Sequence, residues 1–443
     1  MTTDTIYALA TGSGRSALAV LRLSGPAAGP ALAALTGRPP PPARTATLAA
    51  LRHPESRELL DRALVLWFPA PRSQTGEDVG ELHLHGGRGV IDGVVEALAT
   101  MPGLRPAEPG EFSRRAFGYG KLDLTEAEAI ADLVDAETAA QRRQALRQFD
   151  GELGRLYDGW RSRLIRVLAH VEAAIDFPED DLPDGLDDTV RTELDALVSA
   201  LGGHLEDGRR GERLRDGLSV AIIGPPNAGK SSLLNSLARR EAAIVSAQSG
   251  TTRDIIEVHL NLGGFPLIVA DTAGLRDGAD EVEQEGVRRA RARAAEADIK
   301  IAVFDGEQWP DIDSATAALL DDHTLVVLSK LDRHGIAAPL VGERPALALS
   351  VRTGAGLPAL IEALTTLASR RLDTAGRPTL TRQRHRLALE ECRAALTRAR
   401  LAGLSELVAE DLRLAARALG RITGRVAIDE VLDVIFRDFC IGK

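Results

Sequence analysis

Directly after the apolar run Leu218–Ile223 stands Gly224-Pro225-Pro226-Asn227-Ala228-Gly229-Lys230-Ser231, and a helical pattern follows over 233–238. The octet fits GxxxxGK[ST], and its flanks supply the strand, loop and helix that the pattern requires. Such a loop turns backbone N–H groups and a helix N-terminus toward phosphate. Lys230 can then reach the β- and γ-phosphates of a nucleotide, and Ser231 can ligate Mg²⁺. This context commits the surrounding chain to a parallel sheet flanked by helices.

The rest of that segment keeps the rhythm. Apolar runs recur at 218–223, 265–270, 299–304, 324–328 and 346–349, with helical patterns between several of them. Long helical patterning lies on both sides: 124–176 and 188–207 before it, and 381 to the end after it. Helical texture flanking an α/β unit predicts that the unit is inserted into a helical domain. Residues 1–118 read differently, with strand-like runs such as 17–23 and 63–68 bounded by Gly, Pro and Ser. The expected organisation is an N-terminal α/β domain over 1–118, a helical domain from 119–213 and 373–443, and an inserted domain over 214–372.

Composition narrows the function. The 54 Lys and Arg against 64 Asp and Glu leave a net charge of −10, so a whole-chain basic footprint for nucleic acid is excluded. Two cysteines, Cys392 and Cys440, cannot make a disulfide framework. No run reaches the roughly 18 apolar residues of a membrane span, and the N-terminus lacks a signal-peptide pattern. The expected location is cytoplasmic. Only five cations are lysines: Lys121, Lys230, Lys300, Lys330 and Lys443. Lysine is a compact point charge where Arg is a planar fork, so each remaining lysine is a candidate for a specific role.

Further nucleotide motifs follow in order. In Gly250-Thr251-Thr252-Arg253-Asp254 a Thr hydroxyl can complete a Mg²⁺ shell. Asp271-Thr272-Ala273-Gly274 ends an apolar run, which suits Asp271 to the metal shell and the Gly274 N–H to the γ-phosphate. After the next-to-last run comes Ser329-Lys330-Leu331-Asp332. Asp332 can accept from the two adjacent donors on the edge of guanine, and adenine would leave that carboxylate unpaired. Lys330 can lie over the base, and Ser350-Val351-Arg352 can offer a backbone N–H to the guanine oxygen. The set resembles the GTPase signature, except that Ser329 stands where Asn is usual and Leu275 where a water-orienting Gln is common.

Segments outside these motifs carry a narrower resemblance. PNAGKSS, AAIVSAQSGTTRD, DTAGLRDGADEVEQEG, the N-terminal TGEDVGELHLHGG, PGEFSRRAF and KLDLTEAEAIADLVDA, and the terminal FCIGK together resemble the MnmE (TrmE) family of tRNA modification GTPases over the whole chain. The resemblance implies a multi-domain fold, α/β plus all-α. A Ras-like P-loop G domain is inserted into a helical domain, and an N-terminal α/β domain binds tetrahydrofolate and dimerises.

The resemblance also implies a site. GTP would lie on Asn227, Ala228, Gly229, Lys230, Ser231 and Ser232, and on Ser246, Ala247, Gln248, Ser249, Gly250, Thr251 and Thr252. It would also touch Asp271, Thr272, Ala273 and Gly274, the base-reading Ser329, Lys330, Leu331 and Asp332, and Ser350, Val351 and Arg352. Ser231 and Thr252 would hold Mg²⁺, and Asn227, Ser246, Gln248 and Thr251 would hold K⁺. Glu283 would orient the attacking water. Arg22, Glu81, Lys121 and Lys443 would hold 5,10-methylene-tetrahydrofolate or a related folate, and Cys440 would take part in the modification chemistry at an unassigned step. The implied activity is K⁺-activated GTP hydrolysis by a homodimer. Forming a heterotetramer with the FAD-carrying flavoprotein MnmG (GidA), it would install an aminomethyl or carboxymethylaminomethyl group at C5 of the wobble uridine of certain tRNAs.

Two readings compete with this. A GTPase that only switches, binding RNA or a partner, needs no folate site or terminal thiol, and an ATPase is disfavoured by Lys330 and Asp332. His83 and His85 alternate on one strand face, where a packed strand end is preferred to a metal pair.

Overall fold

The computed structural model describes residues 4–12, 14–176, 186–207, 209–240, 257–271, 295–335, 340–373, 376–426, 432, 435–437 and 439–442. The chain divides into two compact units: Met1–Ala131 with Gln148–Ala173 and Ala409–Lys443, and Asp132–Arg147 with Ala174–Val408.

The first unit holds a six-stranded sheet of β1 (Thr5–Leu9), β2 (Leu18–Ser24), β3 (Thr47–Arg52), β4 (Leu59–Phe68), β5 (Val79–His85) and β6 (Leu104–Pro106), in the order β3-β4-β5-β2-β1-β6. Every pairing is antiparallel except β1 with β6. Strand alternation assigns the faces. Tyr7, Leu21, Leu23, Leu82 and Leu84 join the core under helices Ala28–Thr36 and Arg88–Ala99. Ile6 and Ala8 join Phe112 of helix Glu111–Gly118 in a second cluster. Arg22 and Glu81 are therefore on the Phe112 face, and the Arg22 guanidinium lies over the Phe112 ring, 5.9 Å from its centroid.

The sequence pattern over 124–176 predicts one long helical region; the structure breaks it into Leu124–Asp135, Ala139–Phe149 and Glu152–Asp176. Local capping does this. Asp123 and Glu126 exchange side-chain-to-backbone bonds at 2.8 Å each. Thr138 and Gln141 do the same at 3.3 and 3.0 Å, a second capping box in mid-run. Gly151, at φ +78°, ends the next helix. Helix Glu152–Asp176 buries Leu153, Tyr157, Trp160, Leu164, Val167 and Val171 at alternating spacings of four and three. It runs antiparallel to helix Ser405–Thr423, as Arg413–Glu172 (2.8 Å) and Arg425–Asp158 (2.6 Å) fix.

The second unit holds seven strands: β7 (Leu218–Ile223), β8 (Glu257–Leu262), β9 (Phe265–Asp271), β10 (Ile299–Asp305), β11 (Thr324–Ser329), β12 (Leu340–Val341) and β13 (Arg344–Ala348), in the order β12-β13-β11-β10-β7-β9-β8. The five central strands are parallel and the two edge strands antiparallel. The expected strands appear within two residues of their apolar runs. The edge strand β8 has the alternating sequence EVHLNL, which carries a weaker signal than a buried run. Helix Leu357–Leu372 packs Leu357, Leu360, Leu364 and Ala368 into the core on one side. Helices Leu186–Leu205 and Gln383–Leu401 lie on opposite sides of this sheet in sequence, yet they pack together antiparallel, with Arg400 on Asp195 at 2.7 Å and Arg386 on the Leu205 carbonyl at 2.9 Å. The α/β unit is thus inserted between two helices that touch. Lys300 proves to be structural: its ammonium, 8% exposed as a residue, ties β10 to Asp321 at 2.8 Å. Burial works to raise the Asp321 pKa, but the Lys300 bond and its other donors take it down to about 2.

Candidate functional site

The parallel sheet presents its carboxyl ends along one edge, where α/β folds bind ligands. Ile223 leads straight into the glycine loop, and Gly224 has φ +153° with room for no side chain: a Cβ there would sit 2.3 Å from the Val303 carbonyl oxygen. Asn227 (φ +60°) and Gly229 (φ +97°) complete the turn, and Lys230 opens helix Lys230–Arg240. The Lys230 ammonium folds back on the loop, donating to the carbonyls of Gly224 (2.9 Å) and Pro225 (2.8 Å). Asn227, Ser231 and Ser232 are exposed, while Ala228 is buried. Ser231 stands in the first turn of that helix, directly after Lys230. β9 ends beside the loop, with Asp271 in register with Ile222 of β7.

The residues expected to read the base gather after β11 and β13, beside the end of β10. Asp305 and Ser329 are in register. Ser329 is buried, and its hydroxyl donates to the Phe304 carbonyl at 3.1 Å. Lys330 takes φ +61°, and its ammonium reaches Asp305 (2.6 Å) and Glu307 (2.8 Å). Its hydrogen bond to Asp305, then that to Glu307, raise the Lys330 pKa. Leu331 donates its N–H to the Leu349 carbonyl at 2.9 Å, docking the two loops. Asp332 accepts from the Ser350 hydroxyl at 2.5 Å and from Arg352 Nε at 2.9 Å. The Ser350 bond is the first reason its carboxyl lies below the usual range. Val351 is half-buried between Ser350 and Arg352 in this turn.

The structure therefore brings together Asn227–Ser232 as one loop, and Ser329–Asp332 with Ser350–Arg352 as another cluster. Sequence reasoning did not single out Asp305 and Glu307, which hold Lys330. The available signal was an acid at the end of the apolar run 299–304. Ser246, Ala247, Gln248, Ser249, Gly250, Thr251, Thr252, Thr272, Ala273, Gly274, Glu283 and Lys443 lie outside the described residues, as does the side chain of Asp271.

In the first unit, the β2–β5 register sets Arg22 opposite Glu81, and they pair at 2.9 Å. His83 approaches the other Glu81 oxygen at 3.3 Å, whereas His85 pairs with Asp61 at 2.8 Å, so the two histidines have separate partners. Lys121 is exposed, with its Cε against the loop at Gly76. That loop is anchored by Glu77, which binds the buried Arg115 at 3.0 Å and accepts from Ser24 at 2.8 Å. Arg115 also meets Glu111 and Asp4, each at 3.0 Å. Sequence reasoning missed this buried network too; its local signal is the i, i+4 pair Glu111–Arg115. The C-terminal tail is seated on the same unit. Phe436 and Phe439 are buried beside Leu124 and Ala127. Gly442, at φ +95°, lies so close to β1 that a Cβ would stand 2.3 Å from the Leu9 carbonyl oxygen. β1 is the neighbour of Arg22, with Ala8 in register with it. Cys440 is exposed and free; Cys392 is buried, and desolvation pushes its thiol up to about 12.

No described helix is long and apolar enough to cross a membrane. The family model for the GTP-binding protein TrmE N-terminus matches residues 5–121, and that for the MnmE helical domain matches residues 124–440. The tRNA modification GTPase MnmE of Rhodospirillum rubrum is 61% identical, with 100% of each chain covered. That of Paramagnetospirillum magneticum is 59% identical, covering 99% of this chain and 100% of the relative. The mitochondrial 5-taurinomethyluridine-[tRNA] synthase subunit GTPB3 of Rattus norvegicus is 52% identical, covering 99% of this chain and 93% of the relative. The architecture, a Ras-like P-loop domain inserted between helical segments behind an N-terminal α/β unit, agrees with these matches, and the chain belongs to the MnmE (TrmE) family of tRNA modification GTPases.

Proposed function

We propose that the chain is a K⁺-activated GTPase. Acting as a homodimer with the flavoprotein MnmG, it installs an aminomethyl or carboxymethylaminomethyl group at C5 of the wobble uridine of certain tRNAs in the cytoplasm. The observation that carries the GTPase half is the shared carboxyl edge of the parallel sheet, where the Lys230 loop leaves β7 and the Asp332–Ser350–Arg352 cluster leaves β11 and β13, with β10 between them. The organisation that goes with this reading is the N-terminal domain over 1–118, the helical domain over 119–213 and 373–443, and the G domain over 214–372.

Lys230 would exchange two neutral carbonyls for phosphate oxygens, a charge-assisted bond of greater strength. Ser231 with Thr252 would hold Mg²⁺, and Asn227 with Ser246, Gln248 and Thr251 would hold K⁺. Together these ions neutralise charge between the phosphates when bound. Glu283 would orient the attacking water, a task Leu275 cannot perform. On the N-terminal unit, Arg22 and Glu81 would pair with donors and acceptors of a folate, with Lys121 and Lys443 toward its carboxylates. The seating of Gly442 beside β1 supports the last of these, because it ends the tail next to the Arg22 strand. Folate would supply the one-carbon unit, and Cys440, an exposed free thiol, would take part in the modification chemistry.

The test is mass spectrometry of tRNA nucleosides from a bacterial strain lacking its own MnmE and carrying this gene with its native partner. Restored wobble-uridine modification is expected. Full GTP hydrolysis in K⁺ without any modification would favour the switch-only reading.

A further inference from the structure

Asp332 uses its two carboxylate oxygens for two partners of different character. Oδ1 accepts from the Ser350 hydroxyl, and Ser350 is 1% exposed and tied by its own backbone to Ala355 and Gly354 at 2.9 and 2.8 Å. That partner is part of the fixed frame. Oδ2 accepts from Arg352 Nε, whose side chain is 78% exposed and whose only hydrogen-bond partner among the described residues is Asp332. That partner is removable. The other cations nearby are committed elsewhere: Lys330 to Asp305 and Glu307, and Arg333 to Glu307.

The N–H groups of a guanidinium and the N1–H and N2–H of guanine are the same kind of donor, planar and carried on nitrogens flanking one carbon. Both seek a carboxylate in plane. We propose that Arg352 is an in-chain competitor for the guanine-reading carboxylate, so that the base must displace it from Asp332 Oδ2 and guanine-nucleotide affinity is set by that exchange. The inference rests on the reading that Asp332 takes the guanine edge. It gives the Arg352 side chain a role opposite to that of its backbone, which stands among the expected nucleotide contacts.

The size of the effect follows from exposure. A solvent-exposed ion pair is weak, so removing the competitor tightens binding only about twofold to fivefold at low salt. Screening shrinks the difference as ionic strength rises. A side chain that instead stacked on the base or paired with phosphate would lose affinity on removal.

The experiment titrates the full-length chain and its Arg352→Ala, Asp332→Asn and doubly substituted variants with a fluorescent guanosine diphosphate at low and high salt. Arg352→Ala is expected to bind about twofold to fivefold more tightly at low salt, with the gap closing at high salt. In the Asp332→Asn background, where binding is weak, the same change is expected to do nothing. Unchanged or weaker binding by Arg352→Ala, with Asp332→Asn still impaired, would overturn the competition while leaving the guanine assignment standing. Full binding by Asp332→Asn would remove the assignment itself and the competition with it.

Discussion

Asp132 and Arg382, 250 positions apart in the chain, meet at 2.7 Å, and Arg215 reaches the same Asp132 oxygen at 2.8 Å. Arg215 stands just before β7, where the chain enters the P-loop sheet, and Arg382 stands where the chain has left it. One carboxylate, 10% exposed, thus pins both crossings. Gln141 of the following helix reinforces the entry, donating to the Arg215 carbonyl at 2.9 Å. Replacing Asp132 with Ala leaves two arginines facing each other. The expected cost is about 2–3 kcal/mol, below that of a fully buried pair because both arginines are partly exposed. Thermal melting of Asp132→Ala against Asp132→Asn checks this; equal melting points for wild type and both variants would contradict it.

Glu77 and Arg115 are buried more deeply, each side chain 4% exposed. Removing Glu77 leaves the buried Arg115 with Glu111 and Asp4, each at 3.0 Å, so Glu77→Ala is expected to cost less than the about 3–5 kcal/mol of a fully stranded charge. Glu77→Gln keeps hydrogen-bonding capacity toward Ser24 and Arg115 and is expected to cost less. Urea unfolding followed by a probe in the N-terminal unit separates the two.

His204 carries a pH dependence. Burial is the main cause, with the nearby Arg386 charge second, and together they take its pKa down to about 4. Its unfolded value is about 6.5. Between those values the unfolded chain binds more protons than the folded one, so stability falls as pH drops from about 6.5 toward 4. His204→Gln is expected to flatten that part of the melting-temperature profile. An unchanged slope would show that other groups set it.

Gly442 fits where no Cβ can. At φ +95° and 2.3 Å from the Leu9 oxygen, Gly442→Ala is expected to unseat the tail without disturbing the sheets. If the terminal lysine helps to hold folate, the variant binds a tetrahydrofolate at least several-fold more weakly in calorimetry, and its tail is cleaved faster by carboxypeptidase. Wild-type behaviour in both assays would detach the tail from the folate site.

Two substitutions test the proposed hydrolysis machinery. Glu283→Ala is expected to keep nucleotide binding and lose most turnover, and Asn227→Ala to lose the difference between K⁺ and Na⁺ buffers. Wild-type turnover in the first, or retained K⁺ stimulation in the second, would refute the respective role.

Much of this was legible in the sequence because it is local. A glycine loop needs its neighbours along the chain, and a buried parallel strand announces itself as an apolar run. The capping box at Thr138–Gln141 is equally local, but the apolar periodicity running through 124–176 conceals it. The same local logic leads the sequence to propose Asn227–Ser232 for the nucleotide and Ser329–Asp332 for the base. What the tertiary structure decided is which distant groups meet. Nothing in the spacing of Arg22 and Glu81 pairs them; the β2–β5 register does, and a slip of one residue in either strand would turn its member of the pair onto the other face. Lys300 and Lys330 look alike in sequence, but the fold gives one a structural acid at Asp321 and the other the acids at the end of β10. Asp132 with Arg382, Glu77 with Arg115 and Gly442 with Leu9 are likewise products of chain closure. Their partners are chosen by which surfaces pack, a balance of burial against ordering entropy summed over the whole unit, and no window of sequence contains that sum.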